Sequence, residues 1–268
     1  MSHPYPSPPI LLTLVVGLAA GFMSGLFGVG GGILVVPALV LLLHMEQRLA
    51  HGTSLAAVLP ISAISLLTYW SQGNVDWWLA LWLSLGALGG AVLGTRLLHV
   101  VPHRALGYGF AALLVATAIR LFIPTEATGR DPITVGLVLV AVVLGIAAGT
   151  LAGLLGVGGG IILVPAMVVL FGELPVVAKG TSVAVIIPTS LMGTWRNRQK
   201  ANADLRTALV VGIGGIPAAI AGGVISDRMS DDLSNVLFAL LVLAVAARLI
   251  WDLERERRHE PPIAEGDL

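Results

Sequence analysis

Near the start of a long apolar run stands Gly28-Val29-Gly30-Gly31-Gly32-Ile33, with Pro37 just beyond. The same six residues return as Gly156-Val157-Gly158-Gly159-Gly160-Ile161, ahead of Pro165, at an offset of 128. Glycine costs about 1 kcal/mol relative to alanine inside a helix, so four glycines in five residues end one helix before another begins. In hydrocarbon, such a break is tolerated only where the freed backbone is buried in protein or lines a polar cavity. Paired breaks in the two halves of a chain point to a transporter's binding site. Close helix packing is the simpler reading, but it needs a small residue every fourth position rather than consecutive glycines. Consecutive glycines expose N–H groups, which make anion-binding concavities.

The surrounding composition places this feature in a bilayer. Of the 268 residues, 56% are hydrophobic and 11% charged, against about 25% charged in a soluble domain. The expected fold is an all-α polytopic membrane protein of two inverted-topology repeats, each with a glycine-broken helical hairpin. The net charge of zero gives no reason to expect nucleic acid as a partner. The absence of cysteine excludes disulfides, thiolate metal sites and thiol catalysis. Of His44, His51, His99 and His103 only the last two are spaced i, i+4, across a turn at Pro102 and with no carboxylate beside them, so no metal and no cofactor is expected.

Repetition divides the chain. Between residues 21–62 and 149–190, 21 of 42 positions are identical at offset 128, including Gly52-Thr53-Ser54/Gly180-Thr181-Ser182 and Pro60/Pro188. Shared apolar composition does not align glycine, proline and hydroxyl positions in this way, so the halves are read as a duplication. The expected organisation is an N-terminal tail over 1–9, repeat 1 over 10–123, a linker over 124–133, repeat 2 over 134–253, and a charged, disordered cytoplasmic tail over 254–268. Gly17, Gly21 and Gly25 recur every fourth residue and predict a face for close helix packing. Ile33 to Leu43 is too short to span a bilayer, which takes roughly 20 residues, and reads as a partial helix. His44 to His51 reads as a polar connection, with Gly52-Thr53-Ser54 opening the next helix. Asp76 is the expected N-cap of the helix after that.

Basic residues set the orientation. Arg255, Arg257 and Arg258 place the C-terminus inside, and the loop carrying Arg196, Arg198, Lys200 and Arg206 also reads as inside. Its repeat partner, Thr68 to Asp76, has no basic residue and reads as outside. Opposite bias at equivalent loops is the mark of inverted repeats.

The residues able to bind substrate are few. His51-Gly52-Thr53-Ser54 and Lys179-Gly180-Thr181-Ser182 read as helix starts, where free N–H groups and a positive dipole end favour an anion. Simple N-capping by Thr or Ser is the plainer alternative. The expected binding set is Gly30, Gly31, Gly32, His51, Thr53, Ser54, Gly158, Gly159, Gly160, Lys179, Thr181 and Ser182, around one anion near the midplane. Lys179 supplies most of the charge, because an imidazole is mostly neutral at pH 7. Every Asp and Glu falls in a loop or tail, so no intramembrane carboxylate relay is expected. An intramembrane serine hydrolase using Ser54 or Ser182 is the rival reading, weakened by the lack of a third group to orient a base.

Two copies of Gly-Val-Gly-Gly-Gly-Ile followed by proline, each trailed by Gly-Thr-Ser, together with the turn Gly73-Asn74-Val75-Asp76-Trp77, resemble the TauE/SafE family of sulfite exporters. The resemblance covers Ile10 to about Trp251. It implies a multi-pass permease of the bacterial inner membrane, not an enzyme, that exports sulfite, sulfonates or related sulfur oxyanions. Its partners are then a small anionic substrate and the lipid bilayer; the sequence leaves open whether the protein forms a homodimer. Lys179 in one half stands where the other has His51, so the two half-sites are not equivalent.

Overall fold

The computed structural model describes residues 9–97, 108, 111–112, 114–116, 118–119, 122, 135–155, 158–199 and 202–259. The linker over 124–133 and the loop between Arg96 and Arg104 lie largely outside them. The described residues form helices α1 (Ile10–Phe27), α2 (Gly32–Leu41), α3 (Gln47–Ser71), α4 (Trp77–Leu97), α5 (Val135–Leu155), α6 (Gly160–Leu170), α7 (Pro175–Gln199), α8 (Leu205–Arg228) and α9 (Asp231–His259). Those described between 108 and 122 are also helical. Five helices, α1, α3, α5, α7 and α8, are long and apolar enough to cross a membrane. Large apolar side chains cover the outside: Leu11, Val135, Leu139, Leu209 and Leu240 are all exposed, as a lipid-facing surface requires. Trp70 and Trp77 meet edge to face at 5.6 Å beside the α3–α4 turn, where amphipathic rings suit a membrane–water boundary.

The glycine breaks are real turns. Gly28, Gly30 and Gly31 have φ of 68°, 76° and 73°, and Gly158 and Gly159 have 81° and 76°. This left-handed region is open to glycine and costly for other residues. The turn sends α2 back along α1, so that Val35 and Leu39 join Val16, Ala20, Ala50 and Ala57 in one apolar cluster. The short apolar segment is therefore the return arm of a hairpin.

The halves are interlocked. Gly17, Gly21 and Gly25 of α1 lie directly on the backbone of α8 at Val211, Gly215 and Ala219. The repeat-related contact is present too: Gly145 and Gly149 of α5 lie on Leu83 and Ala87 of α4. Lipid tails are as apolar as leucine, so helices in a membrane gain most from backbones that approach closely, and glycine permits that. Contacts that rise together along the sequence make α1 parallel to α8, and α5 parallel to α4. On α3 and α7 they run oppositely: Gly52 meets Asn202, while Gly180 meets Tyr69 and Asn74. The third helices of the two repeats are thus antiparallel and mutually paired.

Two local expectations are corrected. Gly52-Thr53-Ser54 and Gly180-Thr181-Ser182 do not open helices, because α3 begins at Gln47 and α7 at Pro175. Pro175 suits a first helical position, where its missing N–H costs nothing. The connection read over 44–51 is accordingly shorter. The tail from Glu254 is not irregular at its start: α9 continues through it to His259. Asp76 does cap α4, accepting from Leu79 N–H at 2.9 Å, and Asp204 caps α8 through Arg206 and Thr207 N–H.

Candidate functional site

The paired α3 and α7 carry matching stripes. On α7, Lys179, Ser182, Ile186 and Ser190 are spaced i, i+3, i+7, i+11, which puts them on one helix face. On α3, the repeat-equivalent residues are His51, Ser54, Val58 and Ser62. Where the stripes cross, Val58 and Ile186 stand between the two glycine turns. A Cβ at Gly30 would lie 3.0 Å from Ile186 Cδ1 and 3.3 Å from Val58 Cγ1. One at Gly158 would lie 3.3 Å from Ile186 Cγ2 and 3.8 Å from Val58 Cγ1. Gly160 also packs on Ile186 and on the Gly28–Val29 backbone. The structure therefore gathers Gly30, Gly158 and Gly160 around an apolar pair. Gly31 and Gly159 instead face the first helix of their own repeat, at Ala20 and Ala148, and Gly32 begins α2.

The two Gly-Thr-Ser segments are not brought together. With α3 and α7 antiparallel, they lie at opposite ends of the helix pair. Their threonines lock the repeats: Thr181 Oγ1 accepts from Asp76 N–H at 2.9 Å, and Thr53 Oγ1 accepts from Asp204 N–H at 2.9 Å. Gly52 and Gly180 make room for the carbonyls of Asn202 and Asn74 in the same turns. A motif read as two helix starts thus docks each half's Asn-x-Asp turn onto the other half. The serines behave differently. Ser182, Ser62 and Ser190 are fully buried, and their hydroxyls find no hydrogen-bond partner among the described residues. An unmet buried hydroxyl costs about 1–3 kcal/mol, and the Thr194 hydroxyl on α7 is unmet as well.

Lys179 is 1% exposed. Its Nζ donates to Ser226 Oγ at 3.1 Å and Ser234 Oγ at 2.6 Å, and sits 5.8 Å from the centroid of the Phe27 ring. The Tyr69 hydroxyl donates to Gly25 O at 2.6 Å beside the same group. His51, its counterpart, is half-buried. The residues around the lysine are those in which the repeats differ: Phe27, Tyr69, Ser226 and Ser234 stand against Leu155, Asn197, Leu98 and Leu106. Both halves thus contribute residues around the cation that have no repeat-equivalent around His51. Glu173, in the connection before α7, is only 8% exposed, so one loop carboxylate is buried after all.

Sequence reasoning missed Ser62, Ser190, Tyr69, Ser226, Ser234 and the Val58–Ile186 pair. The offset of 128 could have found the first two, as identical hydroxyls inside otherwise apolar helices. The others carry no repeat signal.

Two repeats clasped around broken helices, with a buried cation beside the clasp, have the build of a membrane transporter. Similar proteins carry that description. "Probable membrane transporter protein YunE" of Bacillus subtilis is 24% identical over 90% of this chain and 97% of its own length. A "Probable membrane transporter protein" of Xylella fastidiosa is 28% identical over 90% and 95%, and YdhB of Bacillus subtilis, described likewise, is 31% identical over 68% and 76%. The profile of the family described as "Sulfite exporter TauE/SafE" matches residues 2–121 and 141–266, and the chain belongs to that family. No solved structure matches it.

Proposed function

We propose that the protein is a secondary transporter that exports a small sulfur-containing oxyanion, such as sulfite or a sulfonate like sulfoacetate or taurine, across a bacterial inner membrane. The buried Lys179 carries this reading. Its ammonium donates to the hydroxyls of Ser226 and Ser234, in surroundings that the positions around His51 do not repeat. Ser182, one turn along the same face, offers an unmet hydroxyl. The glycine turns add backbone that no Cβ screens. The site lies within one chain, so a homodimer is not required. At Ser182 the serine-hydrolase alternative lacks a base, because Lys179 Nζ is turned toward Ser226 and Ser234. A covalent serine probe that labelled Ser54 or Ser182 would revive it.

Transport in proteoliposomes tests the substrate class. Sulfite, sulfate, taurine, sulfoacetate and thiosulfate are compared, and at least one sulfur oxyanion should move well above protein-free vesicles. One negative charge leaving a cell that is negative inside gains about 2.3 kcal/mol per 100 mV, or roughly fiftyfold at equilibrium. Export should therefore follow an imposed potential. Transport that ignores the potential, needs a pH gradient and is lost in Glu173→Gln would transfer the coupling to that carboxylate. If none of the five anions moves, the substrate class is wrong.

The proposed orientation places the end with Arg48, Arg196, Arg198 and Arg206 in the cytoplasm, with the C-terminus, and the end with Asp76, Asp227 and Asp232 outside. The antiparallel pairing of α3 and α7 brings Arg48, Arg196, Arg198 and Arg206 to one end, against Arg228 at the other, in accord with the positive-inside rule. Because the chain has no cysteine, single replacements report cleanly. Ser71→Cys should react with an impermeant thiol reagent in intact cells, and Gln199→Cys only after lysis. Labelling of both in intact cells would refute opposed repeats, and labelling of position 199 alone would reverse the orientation.

A further inference from the structure

Resting on the transporter reading, we propose that Lys179 is a tethered coupling cation. Its ammonium fills a site built for a monovalent cation, the place where a cation-coupled transporter would hold a free ion. Such transporters seat the ion against the C-terminal ends of broken helices and the backbone exposed there. The same elements gather around Lys179. Phe27 is the last residue of α1, Tyr69 lies in the last turn of α3, and Ser226 lies in the last turn of α8. The C-terminal turn of a helix is partly negative and favours a cation. The broken end of α1 is seated most closely. At Gly28, its C-cap, a Cβ would lie 2.5 Å from Lys179 Cα, so the cap rests on the lysine's own turn. The Tyr69 hydroxyl takes up Gly25 O, one of the last four carbonyls of α1, which have no partner within their own helix.

The groups that meet the ammonium are of the kind that hold a small cation. Ser226 Oγ accepts from it at 3.1 Å and Ser234 Oγ at 2.6 Å, and Nζ stands over the Phe27 ring. The charged groups at this end are mostly acidic: Glu173 before α7, Asp227 in the last turn of α8, and Asp231 and Asp232 opening α9. Arg228 is here too, but exposed. At the repeat-related positions around His51, Leu98 and Leu106 replace the two hydroxyls and Leu155 replaces the ring, so duplication supplies no second copy. A cation seated here and an anion at Ser182, one turn along α7, would stabilise each other, which is what coupling requires. Because this cation is covalently attached, export needs none from solution.

Shortening the side chain empties the site and gives the test. Lys179→Ala removes the atoms of a propylammonium ion. The full chain is held in detergent without any sulfur anion, and its unfolding temperature is followed in chloride salts of sodium, propylammonium and choline at one ionic strength and pH. Sodium or propylammonium should raise it in Lys179→Ala by about 3 °C or more over choline, saturably, and should leave the parent unchanged. Propanol, which matches the volume without the charge, should have no such effect. Adding Ser226→Ala and Ser234→Ala should abolish the response. If neither cation separates the variant from the parent, if propanol does as well, or if the response survives loss of both serines, no cation site is here. Should Lys179→Ala not fold, the parent decides. Its anion transport in proteoliposomes should be unchanged when all sodium and potassium are replaced by choline, and a requirement for either ion would overturn the proposal. Failure of the transporter reading looks different: no sulfur oxyanion then moves in any of these salts, while the cation response of Lys179→Ala remains.

Discussion

Lys179→Met should weaken substrate binding ten- to a hundredfold, and Lys179→Arg should restore only part of the loss. Methionine keeps the volume and removes the charge. A hydrogen bond to an ammonium is about twice as strong as a neutral one. Its loss is worth about 1.5–3 kcal/mol, which is that range of affinity. Arginine keeps the charge, but its planar fork does not fit where a single Nζ reaches Ser226 at 3.1 Å and Ser234 at 2.6 Å. A purely structural lysine would lower stability in both variants as well. The measurement that separates the roles is the rise in unfolding temperature produced by sulfite or sulfoacetate in detergent. It should disappear in Lys179→Met if the ammonium binds the anion. It should persist, from a lower baseline, if the lysine only ties α7 to α8 and α9. Variants that bind and transport like the parent would place the site elsewhere.

Gly180→Ala should sharply reduce the amount of folded protein in the membrane, whereas Gly89→Ala should leave it unchanged or slightly raised. Both glycines are helical, so propensity favours alanine by about 1 kcal/mol in each. They differ in what a methyl group would meet. At Gly180 it would run into the carbonyl oxygen of Asn74 and lie 2.9 Å from Tyr69 Cβ. At Gly89 nothing lies within 4 Å. Overpacking costs about 1–3 kcal/mol where side chains can yield. A backbone carbonyl yields less, and this one belongs to the turn whose Asp76 N–H is held by Thr181. Folded yield by fluorescence-detected gel filtration, with unfolding temperature, checks the pair. Equal behaviour of the two variants would show that the turn does not dock as described.

Much of the frame was legible because duplication leaves a ruler in the sequence. The offset of 128 fixed the glycine turns, the short return helices and the capping aspartates, each twice. The packing face of Gly17, Gly21 and Gly25 was legible as a spacing, but not its partner, since nothing local to α1 specifies α8. The Gly-Thr-Ser segments were misjudged for a physical reason. Hydroxyl residues after a polar stretch are the ordinary sign of a helix start, and only the turn from the other half explains why they sit a full turn inside. The surroundings of Lys179 were hidden for the opposite reason. Ser226, Ser234 and Tyr69 break the repeat, so the feature that exposed everything else was silent there.

The exchange of helices between halves has a consequence for how the chain is made. Gly21 meets its partner at Gly215, and α3 is clasped by a turn containing Asp204. Synthesis proceeds at about 5–20 residues per second. The first half must therefore wait roughly 10 to 40 s in the bilayer with its glycine face and Thr53 unmatched. For that interval α1, α2 and α3 have mainly one another to pack against, through Val16, Ala20, Val35, Leu39, Ala50 and Ala57. The nascent first half is thus the period in which this protein is most open to wrong partners and to membrane proteases, and the arrival of α8 ends it.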